Sequence, residues 1–267
     1  MMKRTLIVVG TVALTLMSSA AVAAQCGKNA NGFNAFKKDF SAYAQKKGVG
    51  KRGIAALQGT QYSSATIKFD RVQRKSFKKG FDAFYKLRTT GLKKPSLAKL
   101  KKHAGVFANV EKRFGVPKEV LVTIWGMETA FGRFSGKHDV ITSLATLTHD
   151  CRRSDFFRPH LLGALQILDN GWMPRSQMRG ARHGEIGQTQ FLPGNYVAFS
   201  VDFDGDGRRN LVSSVPDVLA STANFLKRKG WKAGGSYQPG SHNYNVLKTW
   251  NAATVYQKSI AKFAATL

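Results

Sequence analysis

Negative charge is what this sequence has least of. Only 15 aspartates and glutamates stand against 42 lysines and arginines, for a formal net charge of +27. Four of the acids are glutamates: Glu111, Glu119, Glu128 and Glu185. Solubility seldom needs so much charge of one sign, so the excess implies an anionic partner: nucleic acid in a cytoplasm, wall polymer or lipid head groups after export. The six histidines are scattered, and neither an HExxH motif nor a Cys/His cluster occurs, which argues against a zinc enzyme. His138, His149 and His183 read as surface or loop groups. A GxSxG elbow, a Walker loop, an internal repeat and a run of alternating strands are all missing. What is present suffices for a core: 43% of residues are hydrophobic and 11% aromatic, in a chain of 267.

The N-terminus has its own pattern. Lys3 and Arg4 precede an apolar stretch from Leu6 to Met17, and the small residues SSAAVAAQ follow. A basic start, a short apolar run and an A-x-A-like end describe a cleavable export signal over residues 1–24, cut after Ala23 or Ala24. The apolar run is short for a membrane span, and no other segment is long enough. Gln25 is a poor residue to precede a lipidated Cys26. Losing Lys3 and Arg4 lowers the charge from +27 to +25. The two cysteines, Cys26 and Cys151, are then candidates for one disulfide in an oxidising compartment, against the alternative of two separate thiols.

Helical spacing dominates the remainder. Phe33, Phe36, Phe40 and Tyr43 repeat at helical intervals, as do Phe77, Phe81 and Phe84, with basic residues on the outer faces. The period predicts core rather than a stacking surface for these rings. TTGLKKPS reads as a loop, and Leu97 to Arg113 as one helix closing on Gly115. Pro117 opens the next helix, where its missing N–H costs nothing. SLATLTHD, HLLGALQILDNG and PDVLASTANFLKRKGW read as helices, the last two stopped by Gly171 and Gly230. Short strands are expected around residues 195–212. The fold class is mainly α with a few short strands.

Glu128 lies near the end of the apolar run VLVTIWGMETAFG. Leu121, Ile124 and Trp125 precede it by seven, four and three residues and share its helical face. A carboxylate in such a setting resists ionisation, and a helix C-terminus pushes the same way, which suits a general acid. The alternative is a buried glutamate paired with an arginine or bonded to backbone. Acids are too few to make a second catalytic carboxylate an easy assumption, so a glycan-cleaving reading favours a mechanism with one.

Several ordered segments carry a resemblance. GVPKEVLVTIWGMETAFGRFSGKHDVITSLATL, CRRSDFFRPHLLGALQIL, GEIGQTQFLPGNYVAFSVDFDGDGRRNL and DVLASTANFLKRKGW together resemble the membrane-bound lytic murein transglycosylase B family, from about Phe69 to the C-terminus. The resemblance implies a lysozyme-like, goose-type fold: an N-terminal helical part over about 25–100 and a core over about 101–267. It implies cleavage of the MurNAc-β-1,4-GlcNAc bond of peptidoglycan with 1,6-anhydro ends, no cofactor for catalysis, and Glu128 as acid and then base. Gln190, Asn224, Phe225 and Tyr256 match substrate-side positions, although Phe225 lacks the hydroxyl of the tyrosine found in some members. GARHGEIG departs most from the family: Ala181 replaces a serine, Arg182 an aromatic and Glu185 a small residue. Glu185 could assist as a second carboxylate or pair with Arg182 or another arginine, and the pairing is the expectation there. The implied partners are glycan strands, with cell-wall assembly or secretion proteins as candidates and no nucleic acid. The implied protein is an exported periplasmic monomer held at the wall or membrane. A noncatalytic glycan binder that kept the fold is the second reading.

DFDGDGRRN sets Asp202, Asp204 and Asp206 at alternate positions before Gly207, the first half of an EF-hand-like loop. Ser213 stands where the closing glutamate would be, and Asp217 is placed to close the site instead. With the carbonyl of Arg208 these acids are candidate Ca²⁺ ligands in a structural role, which the resemblance supports. The alternative is a turn held by Asx bonds or by Arg208 and Arg209.

Overall fold

Phe33, Phe36 and Phe40 are buried along one face of α1 (Phe33–Lys46), as their spacing predicts. This computed structural model describes residues 26–72 and 80–267. The export signal, Gln25 and Phe77 lie outside the described residues. The next helices are α2 (Lys51–Gln58), α3 (Ser64–Val72), α4 (Phe81–Thr89), α5 (Lys93–Lys102), α6 (Ala104–Phe114) and α7 (Lys118–Thr129). They are followed by α8 (Val140–His149), α9 (Ser154–Asp169), α10 (Pro193–Phe199), α11 (Val215–Arg228), α12 (His242–Trp250) and α13 (Thr254–Ala264). None of the helices among the described residues is long and apolar enough to cross a membrane.

Three expectations about the elements need correction. The stretch from Leu97 to Arg113 is two helices, because His103 takes φ −113° and ψ 29° and breaks the hydrogen-bond ladder between α5 and α6. The KKPS end of the expected loop is already the first turn of α5, where a proline is tolerated. The strands are not at residues 195–212, which hold α10 and an irregular loop. They are β1 (His138–Asp139) and β2 (Arg179–Gly180), an antiparallel pair with His138 opposite Gly180.

The core is helix on helix. α7 is buried over most of its length and packs against α5, α6, α11 and α13. α2 fits closely onto α9: the Asp169 carboxylate accepts from the Gly50 N–H at 2.7 Å and the Gly53 N–H at 3.2 Å. Those bonds, with the charge of Arg52, hold the Asp169 carboxyl below its usual range despite some desolvation. A Cβ at Gly53 would lie 2.9 Å from the Leu165 carbonyl, so the close approach requires glycine. Cys26 and Cys151 do form a disulfide, fastening the start of the described chain beside α8. The Gly27 N–H donates to the His149 carbonyl at 2.7 Å next to it.

His149 and His183 are not surface groups. Both are buried, His149 among the rings of Phe33, Phe36 and Tyr62. His138 is half-buried in β1.

Candidate active site

Glu128 is the next-to-last residue of α7, and the way that helix ends decides where its carboxylate points. Ala130 and Phe131 both take positive φ, 49° and 62°, an uncommon conformation for residues with a side chain. The helix then closes through Ala130 N–H to Gly126 at 2.9 Å and Phe131 N–H to Trp125 at 3.3 Å. Gly126 leaves room for the Phe131 ring, which a Cβ there would meet at 2.9 Å. The motif GMETAFG is thus a folded-back helix end.

A second segment locks this end. The Thr129 hydroxyl donates to the Gln188 carbonyl at 2.6 Å. The Trp125 indole N–H donates to Gln188 Oε1 at 2.8 Å, and Gln188 Nε2 donates to the Val212 carbonyl at 2.9 Å. Trp125 is therefore committed to the interior. The side chains that bond Glu128 come instead from the C-terminal helices. Tyr256 of α13 donates its hydroxyl to Glu128 Oε1 at 2.6 Å, and Trp250, the last residue of α12, donates its indole N–H to the same oxygen at 2.9 Å. Oε2 has no hydrogen-bond partner among the described residues.

The electrostatic balance follows from that geometry. Burial raises the Glu128 carboxyl above its ordinary value. The bonds from Tyr256 and Trp250 and the charge of Arg88 oppose the rise, while the charge of Glu185 adds to it. Arg88 makes no ion pair with Glu128. It donates to the Met127 carbonyl at 2.7 Å, and its guanidinium lies 5.8 Å from the Tyr256 ring centre. The Tyr256 hydroxyl is itself raised well above the ordinary tyrosine value, by burial first and by the Glu128 charge second, so it stays a donor.

These groups face a cleft of about 460 Å³. Of the sequence candidates, Glu128, Gln190, Phe225 and Tyr256 line it. Gln190, with φ 56°, is held by bonds from its amide to the carbonyls of Gly187 at 3.0 Å and Ser135 at 3.2 Å. Phe225 meets Trp250 edge-on at 5.2 Å, and Phe191 closes the same aromatic wall. Asn224 is not part of the lining. It points from α11 to the end of α10, donating to the Phe199 carbonyl at 2.8 Å. Of the departures at GARHGEIG, Ala181 and Glu185 line the cleft. Arg182 sits 5.5 Å from the Phe69 ring centre, and Glu185 pairs with His183 rather than with an arginine. Sequence reading did not single out Trp250, Arg88 or Asn195. Trp250 stands 122 residues from Glu128 with no local pattern to link the two, and Arg88 gave no signal among so many cations.

The aspartate loop lies apart from the cleft. Carboxylate oxygens of Asp202, Asp204 and Asp217 come within 4.8 Å of one another. Asp217 is buried in the first turn of α11, and desolvation, followed by the Asp204 charge among the raising influences, lifts its carboxyl above the usual range. Its oxygens accept from the N–H groups of Phe203 and Asn210, each at 2.7 Å. An all-oxygen set of three carboxylates fits a hard divalent cation such as Ca²⁺. Asp206 stands outside the cluster and accepts from the Arg208 N–H at 2.8 Å.

Relatives of known identity agree with this architecture. Membrane-bound lytic murein transglycosylase B of Escherichia coli K12 is 38% identical over 122 residues, which make up 45% of this chain and 34% of that protein. The aligned stretch thus spans about a third of the relative's length. SltB3 of Pseudomonas aeruginosa, solved with NAG-anhNAM-pentapeptide, superimposes with a TM-score of 0.80 at 28% identity, over 88% of this chain and 79% of that one. Slt35 of E. coli, solved with calcium, superimposes with a TM-score of 0.76 at 21% identity, over 91% of this chain and 95% of that one. The fold is the lysozyme-like one of these enzymes. The Transglycosylase SLT domain family matches residues 32–240, most of the described chain, and the protein belongs to that family.

Proposed function

We propose that the protein is a lytic murein transglycosylase: it cleaves the β-1,4 bond between MurNAc and GlcNAc in peptidoglycan and leaves a 1,6-anhydro-MurNAc end. The observation that carries the reading is the state of Glu128. Its carboxyl is raised by burial, two donors occupy Oε1, and Oε2 is left for the substrate. Such a group is protonated more readily than an exposed glutamate and still supports the anion once it forms.

The steps then balance on one residue. Protonated Glu128 gives its proton to the glycosidic oxygen as the C1–O bond breaks. The ionised carboxylate next takes the proton of the muramoyl C6 hydroxyl as that oxygen bonds to C1. Glu128 ends as it began and no water is consumed. Tyr256 and Trp250 stabilise the anion between the two steps, in the manner of preorganised donors. Gln190 and the Phe225–Trp250 wall supply polar and apolar contacts along the strand, and Asn224 acts at one remove by fixing α11 against α10.

Ca²⁺ bound by Asp202, Asp204 and Asp217 would offset most of their charge and stiffen the loop, and would supply no chemistry to the cleft. The leader pattern at residues 1–24 and the Cys26–Cys151 disulfide support export to an oxidising compartment, the periplasm. The large positive charge suits retention on an anionic wall.

Digestion of purified sacculi tests the reading. Mass analysis should find anhydro-muropeptides with the wild type and a loss of about 10²–10⁴-fold with Glu128→Gln. Reducing-end products would make the protein a hydrolase. No release by the wild type would make it a glycan-binding protein that kept the fold.

A further inference from the structure

Glu185 brings a second carboxylate into the cleft that holds Glu128, and the mechanism above does not use it. Its backbone is fixed: its carbonyl accepts from the Ala181 N–H at 3.0 Å, and the next residue, Ile186, exchanges hydrogen bonds of 2.8 and 2.9 Å with Phe191. Its side chain is fixed as well. Oε2 accepts from the His183 N–H at 3.1 Å, and Oε1 lies 3.5 Å from His183 Nδ1. The other ring nitrogen of His183 is 3.1 Å from Asp70, and Phe69 and Phe157 flank the ring. Asp70 is buried and contacted in turn by Arg71, Arg152 and Arg153.

This chain of contacts spends three arginines on Asp70 and none on Glu185. No lysine or arginine among the described residues pairs with Glu185, in a protein of net charge +27. Arg88, the cation of the cleft, is turned to the Met127 carbonyl. A neutral N–H or O–H of a substrate needs only a neutral acceptor, which Gln190 supplies nearby. The Glu185 carboxyl faces the cleft without a lysine or arginine against it, and an ammonium arriving there would gain a charge-assisted hydrogen bond.

We propose that Glu185 is a specificity-determining residue that binds a primary ammonium carried by the glycan strand close to the scissile bond. The inference rests on the transglycosylase reading. The ammonium has two chemical sources on such a strand: an amino sugar that has lost its acetyl group, or an amine of the stem peptide.

Binding and cleavage are measured separately. Soluble strands are titrated calorimetrically against Glu128→Gln and against Glu128→Gln/Glu185→Gln in four forms: untreated, de-N-acetylated, stripped of stem peptides, and with all free amines acetylated. Glu128→Gln should bind amine-bearing strands about tenfold more tightly than amine-blocked ones, and the double variant should bind the two alike. Tighter binding after de-N-acetylation assigns the sugar amine, and a preference lost with the peptides assigns the stem. Equal affinity of Glu128→Gln for blocked and unblocked strands, or a preference that survives Glu185→Gln, would overturn the inference. Failure of the wild type to release anhydro ends overturns the transglycosylase reading alone, because the titrations do not depend on cleavage.

Discussion

Replacing Tyr256 by phenylalanine removes one atom from the site and should move its pH dependence. The hydroxyl donates to Glu128 Oε1 at 2.6 Å inside a buried cluster. The ring would stay, packed on Phe84 at 6.1 Å and beneath the Arg88 guanidinium, so the fold should persist. A hydrogen bond to an ionised group contributes about 1.5–3 kcal/mol, a factor of roughly 10–150 in an equilibrium constant. Its loss disfavours the Glu128 anion, leaving Trp250 as the one donor on that oxygen. The sign follows directly: the donor holds the carboxyl down, so its removal lets the carboxyl rise further. In the proposed mechanism Glu128 is protonated when the reaction begins, so the basic limb of kcat/KM in Tyr256→Phe should lie at higher pH than in the wild type. The second half of the reaction passes through the carboxylate, so kcat at the optimum should fall by about tenfold or more. The assay is release of anhydro-muropeptides from sacculi between pH 4 and 9. A pH profile that superimposes on the wild type, at unchanged kcat, would refute the assignment of Tyr256 as the partner of the reacting acid.

Glu128→Gln should be more stable than the wild type at pH 8, by urea unfolding, with the advantage gone below the unfolded value of 4.5. The folded carboxyl is raised, so its contribution is fully present below that value and is lost as pH rises through the folded one. Ca²⁺ at a hundredfold excess over its Kd should stabilise the wild type by about 2.7 kcal/mol. Thermal scans with and without chelator should show that difference in the wild type and little of it in Asp217→Asn. Cys151→Ser opens a loop of 125 residues, which the chain-entropy relation values at about 5 kcal/mol. Denaturation of the oxidised wild type and the variant in parallel measures it, and a change under 1 kcal/mol would mean that the cross-link constrains little.

Local pattern carried the helices well, because most of them bury a face whose period is written into adjacent residues. Phe33, Phe36 and Phe40 are legible for that reason, and so is the cap at Gly115, whose φ of 73° suits glycine. The break at His103 was not legible, since Leu97 to Arg113 keeps helical spacing straight through it. The strands failed for a different reason. Each is a two-residue pair between segments about forty positions apart, too short to show alternation. In the site, the position of Glu128 on its helix was readable, but its bonding partners were not. Trp250 and Tyr256 lie 122 and 128 residues downstream and meet Glu128 only through the packing of α7 with the C-terminal helices. Trp125, the near neighbour that sequence spacing favoured, spends its N–H on Gln188.

The sequence left open a buried Glu128 paired with an arginine or bonded to backbone, and the distribution of charge bears on the first of these. With 42 cations for 15 acids, a carboxylate placed at random meets a lysine or arginine easily, and Asp70, Asp139 and Asp150 each do. An ion pair on Glu128 would hold it ionised at neutral pH and remove it as an acid. The cleft prevents that by its walls. Phe84, Phe191, Phe225, Trp250 and Tyr256 line the cleft around Glu128, and Arg88 is turned to a backbone carbonyl. The same walls offer hydrogen bonds without full charge, so burial shifts Glu128 toward its protonated form while the anion is still supported when it forms. A basic surface suited to an anionic polymer and the protonated acid of the proposed mechanism make opposite demands on charge, and the uncharged lining around Glu128 reconciles them.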